Sequence, residues 1–158
     1  MNTLWTNKWK PQELSDIVGH YSQIKRIKNW LNNIKDQKVQ SIIILGNHGI
    51  GKTLTVQLIL KELGYKTKTI YPNEIKELRT ADNFSDFYNY KNSIFSKMKI
   101  NTEKNYEKIA LVFDETESIS LTSEKKYIFN IFKMNNKTKS FPLIFIANNQ
   151  HSKLLTDL

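Results

Sequence analysis

The chain has 158 residues, 39% of them hydrophobic and 25% charged, which suits one domain with a real core. It has no cysteine and three scattered histidines, His20, His48 and His151, which excludes disulfide frameworks and thiolate zinc sites. No apolar run approaches the roughly 18 residues of a membrane span, and the N-terminus lacks a signal-peptide pattern, so a soluble intracellular protein is expected. The net charge of +9 comes almost wholly from lysine, the only arginines being Arg26 and Arg79. Such a balance suits a polyanion such as nucleic acid, although Lys- and Asn-rich usage is also what an A/T-biased genome produces.

In chain order, Leu4-Trp5-Thr6-Asn7-Lys8-Trp9-Lys10-Pro11 opens as an expected extended arm, because Pro11 disfavours helix at Lys10. Glu13 to His20 reads as a turn with a short apolar anchor. Ile24, Ile27, Leu31 and Ile34, with Trp30 beside them, predict an amphipathic helix of about 13 residues. A polar connector, Asn32 to Gln40, leads to the apolar run Ser41-Ile42-Ile43-Ile44-Leu45, a predicted strand.

That strand feeds Gly46-Asn47-His48-Gly49-Ile50-Gly51-Lys52-Thr53, and a helical pattern through Leu54, Leu58, Ile59 and Leu63 follows, with Gly64 as its stop. Strand, glycine loop and helix are the context of a phosphate-binding P-loop. Glycines let the loop curl so that backbone N–H groups face phosphate oxygens. The pattern nominates Gly46, Gly49, Ile50, Gly51, Lys52, Thr53 and Leu54 as the nucleotide cradle. Within it Lys52 would reach the β/γ-phosphates, and the Thr53 hydroxyl would hold Mg²⁺.

Lys66 to Ile70 alternates as a second strand, and Ile75 to Lys108 carries one or two helices whose lysines 91, 97 and 99 most simply form a solvated face. Ile109 to Phe113 is a short apolar run expected of a doubly buried strand. It runs straight into Asp114-Glu115. Glu124 to Met134 predicts a helix with Ile128, Ile131 and Phe132 inward, and Phe141 to Ala147 another buried strand ending at Asn148-Asn149. Alternating apolar strands and helices specify an α/β three-layer domain with a mainly parallel sheet.

Ligands of open α/β sheets bind beyond the carboxyl ends of the strands. Asp114 is therefore the natural Mg²⁺ partner, and Glu115 would polarise the attacking water, which makes hydrolysis of ATP to ADP the expected chemistry. Asn148 closes the next strand and would hydrogen-bond the γ-phosphate or the lytic water; an Asn there is more often a plain turn residue.

Taken together, these landmarks resemble the AAA+ ATPases of the clamp-loader group, and within it the large subunit of replication factor C. The resemblance rests on Leu4–Pro11, Asp16-Ile17-Val18-Gly19, Gly46–Thr53, Glu62-Leu63-Gly64-Tyr65, Asp114-Glu115 and the Pro142–Asn149 strand; the helix carrying Trp30-Leu31 points to the large subunit. It implies an ATP-binding domain over 1–158, with an adenine-side arm at 1–20 and the P-loop core at 41–158. Ile17 and Val18 would lie by the adenine. Gly46, Gly49, Gly51, Lys52 and Thr53 would form Walker A, Asp114 and Glu115 Walker B, and Asn148 the residue called sensor 1. ATP and Mg²⁺ are the implied cofactors. Other clamp-loader subunits, a sliding clamp and primer–template DNA are the implied partners, in the nucleus or cytoplasm and away from membranes.

The chain departs from that pattern at several points. Asn47-His48 replace two prolines, and Glu117 stands where the family usually has Asp. Tyr71-Pro72-Asn73-Glu74 matches loosely. Neither a helical lid nor a collar follows Asn148, which fits an N-terminal piece of a longer subunit or a truncated relative. Arg26 and Arg79 do not fall where an arginine finger would, so such a finger would come from a neighbouring subunit. The rival readings are a checkpoint-type clamp loader or another DNA-associated AAA+ protein, and a nucleotide-gated assembly module that seldom hydrolyses ATP. A P-loop kinase is a distant third.

Overall fold

A computed structural model describes residues 8–75 and 108–148. Among the described residues four parallel strands, β1 (Ser41–Leu45), β2 (Tyr65–Ile70), β3 (Lys108–Phe113) and β4 (Leu143–Ala147), pair in the order β1-β4-β3-β2. The strand carrying the glycine loop therefore lies beside the last strand, not beside the next one in sequence. Register pairs Ile43 with Phe145 and Phe113 with Phe145, so like-facing side chains align across the sheet.

Side chains alternate across a strand, and each face acquires its own core. Leu111 and Phe113 of β3 and Leu143, Phe145 and Ala147 of β4 join Ile128 and Ile131 of helix α3 (Thr122–Thr138). The Phe113 and Phe145 rings stack there at 5.3 Å. On the opposite face, Ala110, Val112, Ile144 and Ile146 meet Ile24, Ile27 and Leu31 of α1 (Tyr21–Asn32) and Val56, Ile59 and Leu60 of α2 (Lys52–Glu62). Helix, sheet and helix make the three predicted layers. Burying one such Ile or Leu fully contributes about 1.5–3 kcal/mol, which is why the pattern dictates the arrangement.

The helix ends follow local chemistry. α2 stops at Glu62 because Gly64 takes φ 73°, a left-handed conformation at the C′ position, with its N–H on the Lys61 carbonyl at 3.1 Å. α1 ends at Asn32, so Ile34 belongs to a following 3₁₀ turn (Ile34–Asp36) instead of the predicted helix. α3 runs longer than predicted, to Thr138. Its last turn holds Asn135, fully buried, whose amide donates to the Phe141 carbonyl at 2.8 Å.

The expected extended arm is corrected in part: Lys8 has helical backbone and Trp9 a turn, while residues 1–7 lie outside the described residues. A 3₁₀ turn (Leu14–Asp16) follows, and Leu14 and Ile17 pack against the α1–α2 core. Of the stretch 75–108 expected to carry helices, residues 76–107 lie outside the described residues; Ile75 is buried and Lys108 opens β3. Among the described residues no helix is long and apolar enough to cross a membrane.

Candidate functional site

The carboxyl ends of β1, β3 and β4 meet the start of α2, and a pocket of about 290 Å³ opens there. His48, Gly49, Gly51, Lys52, Thr53 and Leu54 form one wall; Asp114, Glu115, Glu117 and Asn148 face them. Parallel packing produces this placement, since every strand delivers its final residue to the same edge.

The loop from β1 to α2 needs its glycines. Gly49 and Gly51 take φ of 79° and 86°, where a side chain is strained. Gly51 caps α2, whose helix begins at Lys52, so the first-turn N–H groups and the positive helix end point at the pocket.

Lys52 lies at the first turn of α2 and folds back over the loop. Its ammonium donates to the carbonyls of Gly46 at 2.9 Å and Asn47 at 2.8 Å, and to Asn148 Oδ1 at 2.7 Å. Thr53 Oγ1 donates to Asp114 Oδ2 at 2.7 Å. Asp114 is only 5% exposed, and its Oδ1 accepts the Glu115 N–H at 2.9 Å. A hydroxyl and a carboxylate oxygen in contact at a helix start are hard oxygen donors of the kind Mg²⁺ takes, with phosphate and water completing its shell. Among the described residues no group of three His, Asp or Glu side chains forms a protein-only cage.

Glu115 is exposed and takes φ 52°, uncommon for a residue with a side chain. The reversal lets its carbonyl accept the Ser118 N–H at 2.9 Å, closing a 3₁₀ turn (Thr116–Ser118). Tyr71, at the end of β2, has its phenol pushed above the ordinary value by burial first and then by the charges of Asp114, Glu115 and Glu74. It stays neutral beside the carboxylates.

Lys52, Thr53, Asp114, Glu115 and Asn148, nominated from sequence, are thus brought together, with Gly49, Gly51 and Leu54. Gly46 contributes its carbonyl to Lys52, whereas Ile50 is 43% exposed and outside the pocket lining. Ile17 and Val18 are also outside that lining: Ile17 packs on the core and Val18 is 89% exposed. Arg26 lies on the exposed side of α1, and Arg79 is outside the described residues.

Two polar residues of the pocket lining, Glu117 and His48, were not nominated as site residues. Glu117 takes both the Asn148 backbone N–H, at 3.2 Å, and its amide Nδ2–H. His48 Nδ1 lies 3.4 Å from the same Nδ2. The signal for Glu117 was present as a carboxylate two residues beyond Glu115. His48 carried none beyond its place in the loop.

The model of the Rad17 P-loop domain matches residues 1–152. The chain is 34% identical over 170 residues to a putative replication factor C large subunit of Acanthamoeba polyphaga mimivirus, covering 98% of this chain and 32% of the relative. Against the replication factor C large subunit of Methanococcus aeolicus it is 26% identical over 156 residues, covering 98% and 30%. Against the mouse cell cycle checkpoint protein RAD17 it is 28% identical over 142 residues, covering 80% and 20%. The chain spans about a third or less of these relatives. Among solved structures, the replication initiator DnaA bound to AMPPCP and single-stranded DNA superposes with a TM-score of 0.59 at 19% identity, covering 90% of this chain and 43% of that one. C. elegans PCH-2 gives 0.59 at 12% identity, covering 95% and 43%. Both likenesses concern the fold.

Proposed function

The chain belongs to the Rad17 P-loop domain family of clamp-loader AAA+ proteins, and from that premise we propose that it binds and hydrolyses ATP within a sliding-clamp loader, as a replication factor C large-subunit-like chain. The observation that carries the reading is the double junction at the start of α2. Consecutive residues Lys52 and Thr53 meet the residues that close two adjacent strands, Asn148 and Asp114.

In this reading the α2 N-terminus and the Gly49–Gly51 backbone receive the phosphates, and Lys52 transfers its ammonium from loop carbonyls to β/γ-oxygens. Thr53 and Asp114 would hold Mg²⁺, which when bound neutralises charge developing on the phosphates. Glu115, exposed at the mouth, orients and polarises the water, and Asn148 contacts the γ-phosphate. Ile17 and Val18 lie on the adenine side; the 89% exposure of Val18 leaves it free to cover a base. Coupling to clamp opening, assembly with other loader subunits and contact with primer–template DNA rest on the relatives' names and on the net charge of +9. An arginine from a neighbouring subunit is expected to complete the site, since such fingers raise rates about 10³–10⁵-fold in other NTPases. Nucleotide binding by the chain alone is then weak and its turnover very slow.

The test measures ATPase activity of the chain with small clamp-loader subunits, with and without clamp and primer–template DNA, beside Lys52→Ala and Glu115→Gln. Stimulation by clamp and DNA together, lost in both variants, supports the reading. ATP binding that Lys52→Ala destroys, with no turnover in any combination, replaces hydrolysis by a nucleotide-gated assembly role. Absence of ATP binding in the assembled complex rejects both.

A further inference from the structure

We propose that Glu117 is a positioning residue for Asn148 and thereby sets how strongly the pocket prefers a nucleoside triphosphate over a diphosphate; the inference rests on the ATP-binding reading above. A side-chain amide has an accepting end and a donating end. Asn148 Oδ1 accepts from the Lys52 ammonium at 2.7 Å, while Nδ2 donates to Glu117 Oε1 and lies 3.4 Å from His48 Nδ1. A cation therefore faces the carbonyl end and an anion the amino end. Turning the amide over would set NH₂ against the ammonium and oxygen against the carboxylate, so one orientation is retained, held by charge-assisted bonds.

Glu117 also accepts the Asn148 backbone N–H at 3.2 Å, which fixes the main chain where β4 ends. Its own position is fixed in turn. The neighbouring Thr116, fully buried, donates its hydroxyl to the Ile146 carbonyl at 3.0 Å, two residues before Asn148. On the other side Ile119 is 2% exposed within the α3-side core. The turn after β3 thus grips the end of β4 at two points, and the second is Asn148 itself.

Lys52 sits where the terminal phosphates are read, and Asn148 touches Lys52. The group by which ATP and ADP differ is the one that meets this amide. Losing Glu117 leaves Asn148 with Lys52 and the longer His48 contact, free to swing, while the loop that receives the first two phosphates keeps its own bonds.

The test is equilibrium binding of ATP and of ADP, each with magnesium, to the chain and to Glu117→Ala, Glu117→Gln, Asn148→Ala and Glu117→Ala/Asn148→Ala, with thermal melts to show that each is folded. The expected result is an ATP-to-ADP affinity ratio lowered about tenfold in either single Ala variant, with no further loss in the double. ADP affinity stays within about twofold, and Glu117→Gln, which keeps an acceptor at the same reach, retains part of the preference. An unchanged ratio in Glu117→Ala, or in Glu117→Gln and Asn148→Ala if the Ala variant does not fold, overturns the inference. So does additive loss in the double variant, or parallel loss of ADP affinity, which would mark a merely structural role. Equal affinities for ATP and ADP in the unaltered chain overturn it while leaving the P-loop reading intact. Absence of binding of either nucleotide, in the chain and in the assembled loader alike, rejects the ATP-binding reading itself.

Discussion

Thr53 Oγ1 donates to Asp114 Oδ2 across 2.7 Å, tying the first turn of α2 to the last residue before the turn that follows β3. The bond has two consequences that one substitution separates. Asp114 is 5% exposed, so removing its donor leaves a buried carboxylate oxygen short of a partner. Thr53→Val, which keeps the shape, should lower stability by about 1–2 kcal/mol in denaturant unfolding without nucleotide. In the proposed site it also removes an oxygen from the Mg²⁺ shell. ATP affinity with magnesium should then fall at least about tenfold, and affinity in chelator much less. Equal losses with and without magnesium would remove Thr53 from the cation's shell.

Glu115 separates stability from chemistry in the opposite sense. Its side chain is exposed, and its backbone carbonyl, not its carboxylate, closes the turn to Ser118. Glu115→Gln should leave unfolding within about 0.5 kcal/mol of the unaltered chain. ATP should still bind. Hydrolysis in the assembled loader should drop about 10²–10⁴-fold, the usual contribution of a positioned base. Turnover that survives the substitution would place the water-activating group elsewhere, with Glu117 the pocket carboxylate other than Glu115 and the proposed Mg²⁺ ligand Asp114.

The strands and the glycine loop were legible because their signals are strong and redundant. Ser41–Leu45 is the predicted strand residue for residue, and the runs ending at Phe113 and Ala147 end there in the structure. Gly64 stopped α2 by a backbone requirement that a sequence displays openly. The misses share a different cause. Glu117 and Asn148 are 31 residues apart, and their pairing depends on β3 and β4 being neighbours in the sheet, which no local pattern encodes. Trp9 turns where Pro11 alone suggested extension, because Pro11 constrains only its immediate predecessor. The end of α3 was lost because Asn135, Asn136, Lys137 and Thr138 look like solvent-facing residues, yet Asn135 is buried.

Asn135 is therefore a structural position disguised as a surface one. Nδ2 donates to the Phe141 carbonyl at 2.8 Å, and Oδ1 accepts the N–H groups of Ser140 and Phe141 at 3.3 Å each. The amide satisfies the backbone of the turn between α3 and β4, where Lys139 adopts φ 47°. Asn135→Ala should cost about 2–4 kcal/mol, since it strands buried backbone groups as well as deleting the bonds. Asn135→Asp keeps the acceptor and loses the donor, so it should fall between. An unfolding midpoint unchanged in Asn135→Ala would mean that the turn holds without the amide.

Asp16 offers a pH-dependent test of the segment that leads to Ile17 and Val18. Its Oδ2 accepts the backbone N–H of Glu13 at 3.0 Å and of Gln12 at 2.9 Å. Those bonds, Glu13 first, hold its carboxyl below the ordinary range. A carboxylate whose folded value lies below its unfolded one contributes stability that is fully present above about pH 3.9, and that contribution is lost as pH falls through the lower folded value. The melting difference between the unaltered chain and Asp16→Ala should therefore be constant near neutral pH and shrink only below about pH 4. The turn it closes packs Leu14 and Ile17 against the α1–α2 core, so Asp16→Ala should also loosen Ile17, readable as faster amide exchange there at neutral pH. In the proposed function Ile17 and Val18 lie beside the adenine, and the same variant should weaken ATP and ADP binding alike. A difference that persisted undiminished to about pH 2.5 would show that the Asp16 charge does not hold the turn.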